Sequence, residues 1–274
     1  MADITDTLLE LPKPDAEDKD RQFVMALARG LEILRAFEPS AGPLGNKELS
    51  ARTDIPKPTV SRLTYTLSRL GYLEYIGRLE KYQLGTAVLS VGYSYLQNLD
   101  VKALSHPMMQ SLADEFDVSL AMGARDRLAM TYLDVVQGAG LATRRLDIGA
   151  RINISDSAMG MAFLAALPET EKSSLTDALK EKHQDNLTDL EECIARTESE
   201  IKSLGFCVVS GKVDKNVIAA AVPFFSPDGG TTLAFNISAT RFQYDTAFFY
   251  KTLGPRLHEM AGEMQRRLPG HKRW

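Results

Sequence analysis

The chain has 274 residues, 44% of them hydrophobic and 25% charged, with a formal net charge of −4. That is enough apolar material for one large or two modest globular domains, and no run approaches the ~20 apolar residues a membrane-spanning helix needs. The first twenty residues, MADITDTLLELPKPDAEDKD, lack the basic and apolar stretches of a secretory leader, so a cytoplasmic protein is expected.

Residues 1–20 carry 7 acidic groups against 2 basic ones, with little apolar surface, and read as an acidic tail. Residues 21–85 reverse the sign, with 10 Lys or Arg against 6 Asp or Glu, the local basic excess that a confined nucleic-acid footprint requires. Within them Val24, Leu27, Leu31 and Leu34 fall at spacings of 3, 4 and 3, one face of a helix. The stretch from Glu38 to Pro43 breaks it. A short helix is expected over about Asn46 to Arg52, then a turn at 53–56, then a helix from Lys57 to about Leu70 with Pro58 near its start and Gly71 at its end. Residues 72–76 and 81–84 read as two strands joined around Gly77 and Arg78, and 86–97 as an apolar helical connector.

Beyond about Asp100 the pattern is mixed. Helices are expected at 108–116, 157–166, 168–182, 188–204 (Thr188 as its cap, Gly205 as its stop) and 244–268. Strands are expected at 119–125, 129–136, 141–148, 206–212, 217–225 and 231–239. The domain reading is a tail over 1–20, a winged helix-turn-helix over 21–85, a connector helix over 86–100, and an α+β domain over 101–274, an antiparallel sheet covered by helices.

The order helix, tight turn, helix, hairpin over 45–84 is the strongest signal in the chain. In its second helix Val60, Leu63, Leu67 and Leu70 form the inward stripe, so Lys57, Thr59, Ser61, Arg62, Tyr65, Thr66 and Arg69 lie on or beside the outward one. Hydrogen-bonding and cationic groups along one helix face fit the major groove of double-stranded DNA. Arg62 has the geometry to grip a guanine edge, worth roughly 1–3 kcal/mol of discrimination. Lys57 and the wing residues Arg78 and Lys81 suit phosphates, which fix register without reading sequence.

Several motifs in order resemble the IclR family of transcriptional regulators: the run Phe23 to Phe37, Lys57-Pro58-Thr59-Val60-Ser61-Arg62-Leu63, Leu70-Gly71-Tyr72-Leu73, Tyr82-Gln83-Leu84-Gly85, Gly149-Ala150-Arg151, Ser157 to Ala165, and Leu204-Gly205-Phe206. The resemblance spans about residues 22 to 268. It implies an effector domain with a profilin- or GAF-like sheet, and dimers through the N-terminal part that often pair into tetramers. It also implies a small organic acid as effector, and repression as the more frequent sense of regulation, with activation left open.

Unpaired backbone N–H groups where a helix begins at Ser157 make a natural carboxylate site. Carried over by position, the resemblance puts the ligand's acid group at Ser157, Ala158 and Met159, with Ser238 as a further polar contact and Leu141, Ile152 and Val217 as an apolar wall. Where relatives that bind small keto acids have an acidic residue, a cysteine and a serine, this chain has Val209, Ala219 and Asn236, which implies a larger or less polar acid, aromatic or branched. Asp156 would repel an anion unless it turns away or pairs with Arg144 or Arg145.

Catalytic signals are weak. None of the four histidines stands at metal-ligand spacing, and there is no G-x-S-x-G elbow or P-loop. Gly138-Ala139-Gly140 begins like a dinucleotide loop, but Thr143 takes the third glycine's place. Cys193 and Cys207 are too few for a disulfide framework and read as core thiols. No cofactor, metal or membrane partner is expected. Two rival readings stay open: an enzyme whose N-terminal domain only assists assembly, and a constitutive architectural DNA binder.

Overall fold

Punctuation residues set the N-terminal elements. The computed structural model describes residues 22–38, 42–140, 146–183, 187–212, 214–225 and 232–268, and the chain divides after Asn98 into two units. The first contains α1 (Met25–Arg35), α2 (Asn46–Thr53), α3 (Lys57–Arg69), β1 (Leu73–Ile76), β2 (Lys81–Leu84) and α4 (Thr86–Gln97). The Gly45 N–H donates to the Glu48 carboxylate at 2.5 Å and opens α2, and Asp54, in the left-handed region at φ 54°, ends it. Ser50 Oγ donates to the Ile55 carbonyl at 2.7 Å across the turn, and Pro58 sits in the first turn of α3, where a missing N–H costs nothing. Gly71, at φ 79°, reverses the chain so that Tyr72 N–H reaches the Leu67 carbonyl at 2.9 Å. Ile33, Leu44, Leu49, Ile55, Val60 and Leu73 form the core of this unit.

One expected stripe, that of α3, is corrected here, and the stripe of α1 proves largely to face outward. On α1, Gly30 and Ile33 are buried, whereas Val24, Leu27 and Leu31 are exposed, Leu27 by 63%. On α3 the fully buried residues are Val60 and Thr64, while Leu70 is 62% exposed because it lies at the C-cap, past the last helical turn. Thr64 fits the inner face because its hydroxyl donates to Asn46 Oδ1, 3.2 Å away on α2.

The second unit is built from α5 (Asp100–Phe116), β3 (Ser119–Asp126), β4 (Ala129–Gln137), β5 (Arg151–Asn153), α6 (Ala158–Ala165), α7 (Glu169–Lys182), α8 (Leu187–Leu204), β6 (Cys207–Ser210), β7 (Val217–Phe225), β8 (Thr232–Thr240), a turn of helix α9 (Thr246–Phe248) and α10 (Gly254–Arg267). The strands form one antiparallel sheet in the order β5-β4-β3-β8-β7-β6. Helices cover both faces, which is why the central strands are buried almost throughout rather than alternating. Ala121, Ala221 and Asn236 share one face with α6, and their neighbours Met122, Val222 and Phe235 share the other. On that second face Ser105 of α5 meets Met122, and Phe224 and Phe235 pack edge to face at 5.3 Å.

Four boundaries differ from expectation. Helix α5 starts at Asp100 and runs through Pro107, tolerated because Pro107 and Ala103, whose carbonyl loses its donor, are both exposed. The strand expected at 141–148 is not found over 146–148, while residues 141–145 lie outside the described residues; the strand that forms is β5, after a turn at Gly149 (φ 85°). Helix α8 is already formed at Leu187, so Thr188 lies inside it rather than capping it. The closing helix is interrupted by a wide turn over Phe249–Leu253, because Pro255, in the first turn of α10, has no N–H to continue the ladder.

Gly160 is required where α6 begins. A Cβ there would lie 2.3 Å from Ile154 Cα and 2.5 Å from the Ile154 carbonyl oxygen, both backbone atoms of the 3-10 turn over Ile154–Asp156. Gly160→Ala is expected to cost about 1–3 kcal/mol of stability, as overpacking against backbone does. Thermal unfolding of the variant checks this, and an unchanged melting temperature would contradict the close approach.

Candidate DNA-reading helix and ligand cavity

Helix α3 presents Lys57, Ser61, Arg62, Tyr65, Thr66 and Arg69 as exposed residues, with Thr59 half-buried at its first turn. The Arg62 side chain has no partner among the described residues, and Tyr65 is 66% exposed. Thr66 Oγ1 donates back to the Arg62 carbonyl at 3.0 Å, which fixes its rotamer and leaves its lone pairs outward. Arg78 is exposed in the turn between β1 and β2. Lys81 differs: its Nζ is 2.6 Å from Glu48 Oε1, and with the Gly45 N–H it holds the Glu48 carboxyl below its usual range. Its charge is therefore partly spent within the fold, and Arg78 is the freer wing cation. Thr64, absent from the expected set, fixes α3 against α2 through Asn46, as a buried hydroxyl among apolar neighbours does when paired.

In the second unit a cavity of about 530 Å³ opens between the sheet and the start of α6. It exists because the sheet is lined with small side chains there. Ala219 pairs with Ser238 at its wall, while Ala121 and Ala221, on either side of Asn236, are buried beneath α6. Ile152, Ser157, Ala158, Val209, Val217, Ala219, Asn236 and Ser238 all line it. Met159 does not: its side chain is core, packed over Gly123, so only its backbone N–H faces the helix start. Leu141 lies outside the described residues. Tyr132, Leu146, Arg151, Asn153, Lys212 and Asp214 line the cavity as well, although the sequence reading did not assign them to it. Arg151, within the Gly149-Ala150-Arg151 motif, was the one visible signal among them.

Polar groups at the mouth are largely satisfied by each other. Ser157 Oγ accepts from the Gly160 N–H at 3.0 Å and donates to the Asn153 carbonyl at 2.9 Å, so it is a helix cap as well as a lining residue. Asp156 accepts from Asn153 Nδ2 at 2.8 Å and from Ser155 Oγ at 3.0 Å, and that hydroxyl lies 2.9 Å from His183 Nε2. Those are the partners of Asp156 among the described residues; Arg144 and Arg145, expected in that role, lie outside them. Arg151 pairs with Asp126 at 3.4 Å and Lys212 with Asp189. In contrast, Asn236, 7% exposed, has a side-chain oxygen with no hydrogen-bond partner.

Residues 26–77 match the family model described as IclR helix-turn-helix domain, and residues 93–266 match the one described as Bacterial transcriptional regulator IclR C-terminal. The chain belongs to the IclR family of transcriptional regulators. It is 32% identical over 246 residues to the HTH-type transcriptional regulator TsaQ1/TsaQ2 of Comamonas testosteroni, covering 89% of this chain and 88% of that protein. It is 29% identical to the Pca regulon regulatory protein of Pseudomonas putida, over 80% and 75% of the two chains. The crystal structure of an IclR family transcriptional regulator from Brucella abortus matches with a TM-score of 0.90 at 40% identity, over 96% of this chain and 99% of that one. The α3 helix is thus part of a DNA-binding helix-turn-helix, and the sheet is the α+β domain of IclR structures.

This IclR-family regulator has relatives named as regulators and repressors, not as enzymes. Cys193 and Cys207 are buried and free, and burial pushes the Cys207 thiol far above its ordinary range, so it stays protonated. Cys207 Sγ donates to the Ala158 carbonyl at 3.6 Å and serves as packing beneath α6. Among the described residues no cluster of His, Cys, Asp or Glu could hold a metal ion, and no helix is long and apolar enough to cross a membrane.

Proposed function

We propose that this regulator is a repressor that binds an operator as a two-fold dimer and is controlled by a small organic acid held in the sheet cavity. One observation supports the effector part above others: residues from β5, α6, β6, β7 and β8 converge on one ligand-sized space with a helix start at its edge. On the DNA side, Lys57, Thr59, Ser61, Arg62, Tyr65, Thr66 and Arg69 meet the groove, with Arg62 on a base edge and Lys57 and Arg78 on phosphates. Lys81 contributes less, through its pairing with Glu48.

Two apolar surfaces in the N-terminal unit support the dimer. Val24, Leu27 and Leu31 on α1 are exposed, and α4 buries none of its residues while exposing Leu89, Val91 and Tyr93. Such patches on a soluble chain mark contact surfaces. Paired heads would read two halves of an imperfect palindrome. Repression follows the named sense of relatives such as the transcriptional repressor IclR of Escherichia coli, 30% identical over 56% of this chain, and the cytoplasm is where the DNA is. A thermal-shift screen of carboxylic acids tests the effector reading. A true ligand raises the melting temperature in proportion to the logarithm of its concentration and releases the protein from its operator. Failure of every acid to do either leaves a constitutive DNA binder.

A further inference from the structure

We propose that Thr64 is a positioning residue for DNA binding: its buried hydroxyl holds the Asn46 amide so that Asn46 Nδ2 donates to a backbone phosphate beside the groove that α3 enters. This rests on α3 reading the groove and adds a contact from outside that helix. Thr64 is fully enclosed, at 0% exposure, on the inner face of α3. Its Oγ1 lies 3.2 Å from Asn46 Oδ1 on α2 and 3.2 Å from the Ser61 carbonyl of its own helix. With the amide oxygen turned to Thr64, the amide nitrogen is directed away from it. Asn46 is half-buried, and its Nδ2 has no partner among the described residues and is open to solvent.

The bond to Asn46 serves Asn46 rather than Thr64. A hydroxyl has one proton to give, and the Ser61 carbonyl alone would satisfy it. Nor is Asn46 occupied in capping its own helix. The N-cap of α2 is Gly45, whose N–H is taken by Glu48, so a residue type that favours the cap stands one place late, with its side chain turned to α3. Holding an open amide in place before DNA arrives removes the entropic cost of ordering it in the complex.

A phosphate fits this donor. Ser61 and Thr64 belong to the second turn of α3, next to the N-terminal end that meets the bases in a helix-turn-helix complex. Phosphates run along the rim of that groove, and neutral side-chain amides are common donors to them. The surroundings also suit an anion. Lys47, the next residue, is exposed, and the Glu48 carboxylate is met by Lys81 Nζ at 2.6 Å.

Anisotropy titrations of the full-length protein on a duplex from beside its own gene, repeated over a range of salt, test this. Asn46→Ala is expected to weaken binding roughly 10-fold per half-site, the loss of a hydrogen bond to a charged group. The salt slope should stay as in the wild type, because a neutral donor releases no counterion. Asn46→Asp still accepts from Thr64 but can no longer donate, so it should lose at least as much. Thr64→Val should match Asn46→Ala, Thr64→Ser should restore binding, and the double variant Asn46→Ala, Thr64→Val should be no weaker than Asn46→Ala alone. Thermal melts report whether the heads stay folded, and if Thr64→Val unfolds, the two Asn46 variants and Thr64→Ser decide. Wild-type binding by Asn46→Ala or Asn46→Asp, or losses that add in the double variant, would overturn the proposal while Arg62→Ala still weakens binding. If Arg62→Ala also binds as the wild type does, the groove reading fails and takes the proposal with it.

Discussion

Arg62→Ala is expected to weaken operator binding by roughly 10- to 100-fold per half-site, the effect of losing a two-pronged base contact. The side chain is exposed, has no partner among the described residues, and projects from a helix whose inner face is fixed by Val60 and Thr64. Removing it should not unfold the head, because Arg62 contributes no packing to the core of Ile33, Leu49 and Val60. Sequence preference should relax at one position of each half-site. Lys57→Ala, by contrast, should weaken all sequences alike and lower the salt dependence, since each phosphate contact adds about 0.9 to the slope of log affinity against log salt. Anisotropy titrations on the operator and on a scrambled duplex separate the two.

The second large effect is expected from Ala219→Phe. Ala219 lies mid-strand on β7, opposite Val209 and Ser238, and faces a cavity of about 530 Å³. A phenyl ring has space to enter there without displacing packed neighbours, and an aromatic suits a strand. The ligand-induced rise in melting temperature should vanish while the head still binds DNA. Operator affinity should then no longer respond to ligand, a loss of the roughly 1–3 kcal/mol of coupling typical between two linked sites. An operator complex that still dissociates when ligand is added would place the effector elsewhere.

The head was legible because its signals are local. Pro58, Gly71 and the polar face of α3 each have one physical meaning, and α2, α3 and both wing strands lie where those residues put them. The errors came where tertiary context overrides periodicity. The inward stripe of α3 ends early, with Leu70 exposed at the C-cap, and Thr64 is buried although polar, since Asn46 satisfies it. Burial patterns cannot distinguish a core from a surface that another molecule covers.

Cavity residues were legible in a different way. Helical and strand periods say nothing about which strands neighbour one another, so the meeting of Val209, Ala219 and Asn236 came from the family resemblance, not from their spacing. Tyr132, Arg151 and Lys212 come from strand β4, edge strand β5 and the loop after β6, and only the fold brings them to one wall. The unpaired oxygen of Asn236 was invisible in sequence, because an asparagine in a strand is ordinarily satisfied.

Operator recognition by this protein depends on the outward face of α3 reading a DNA groove. The most direct measurement is the affinity of the full-length protein for the DNA beside its own gene, titrated against salt, for the wild type and Arg62→Ala. A steep fall in affinity with salt is expected for both, with a preference over scrambled DNA that is clear in the wild type and reduced roughly 10- to 100-fold per half-site in the variant. Binding that ignores salt, or a sequence preference equal in the two proteins, would contradict it.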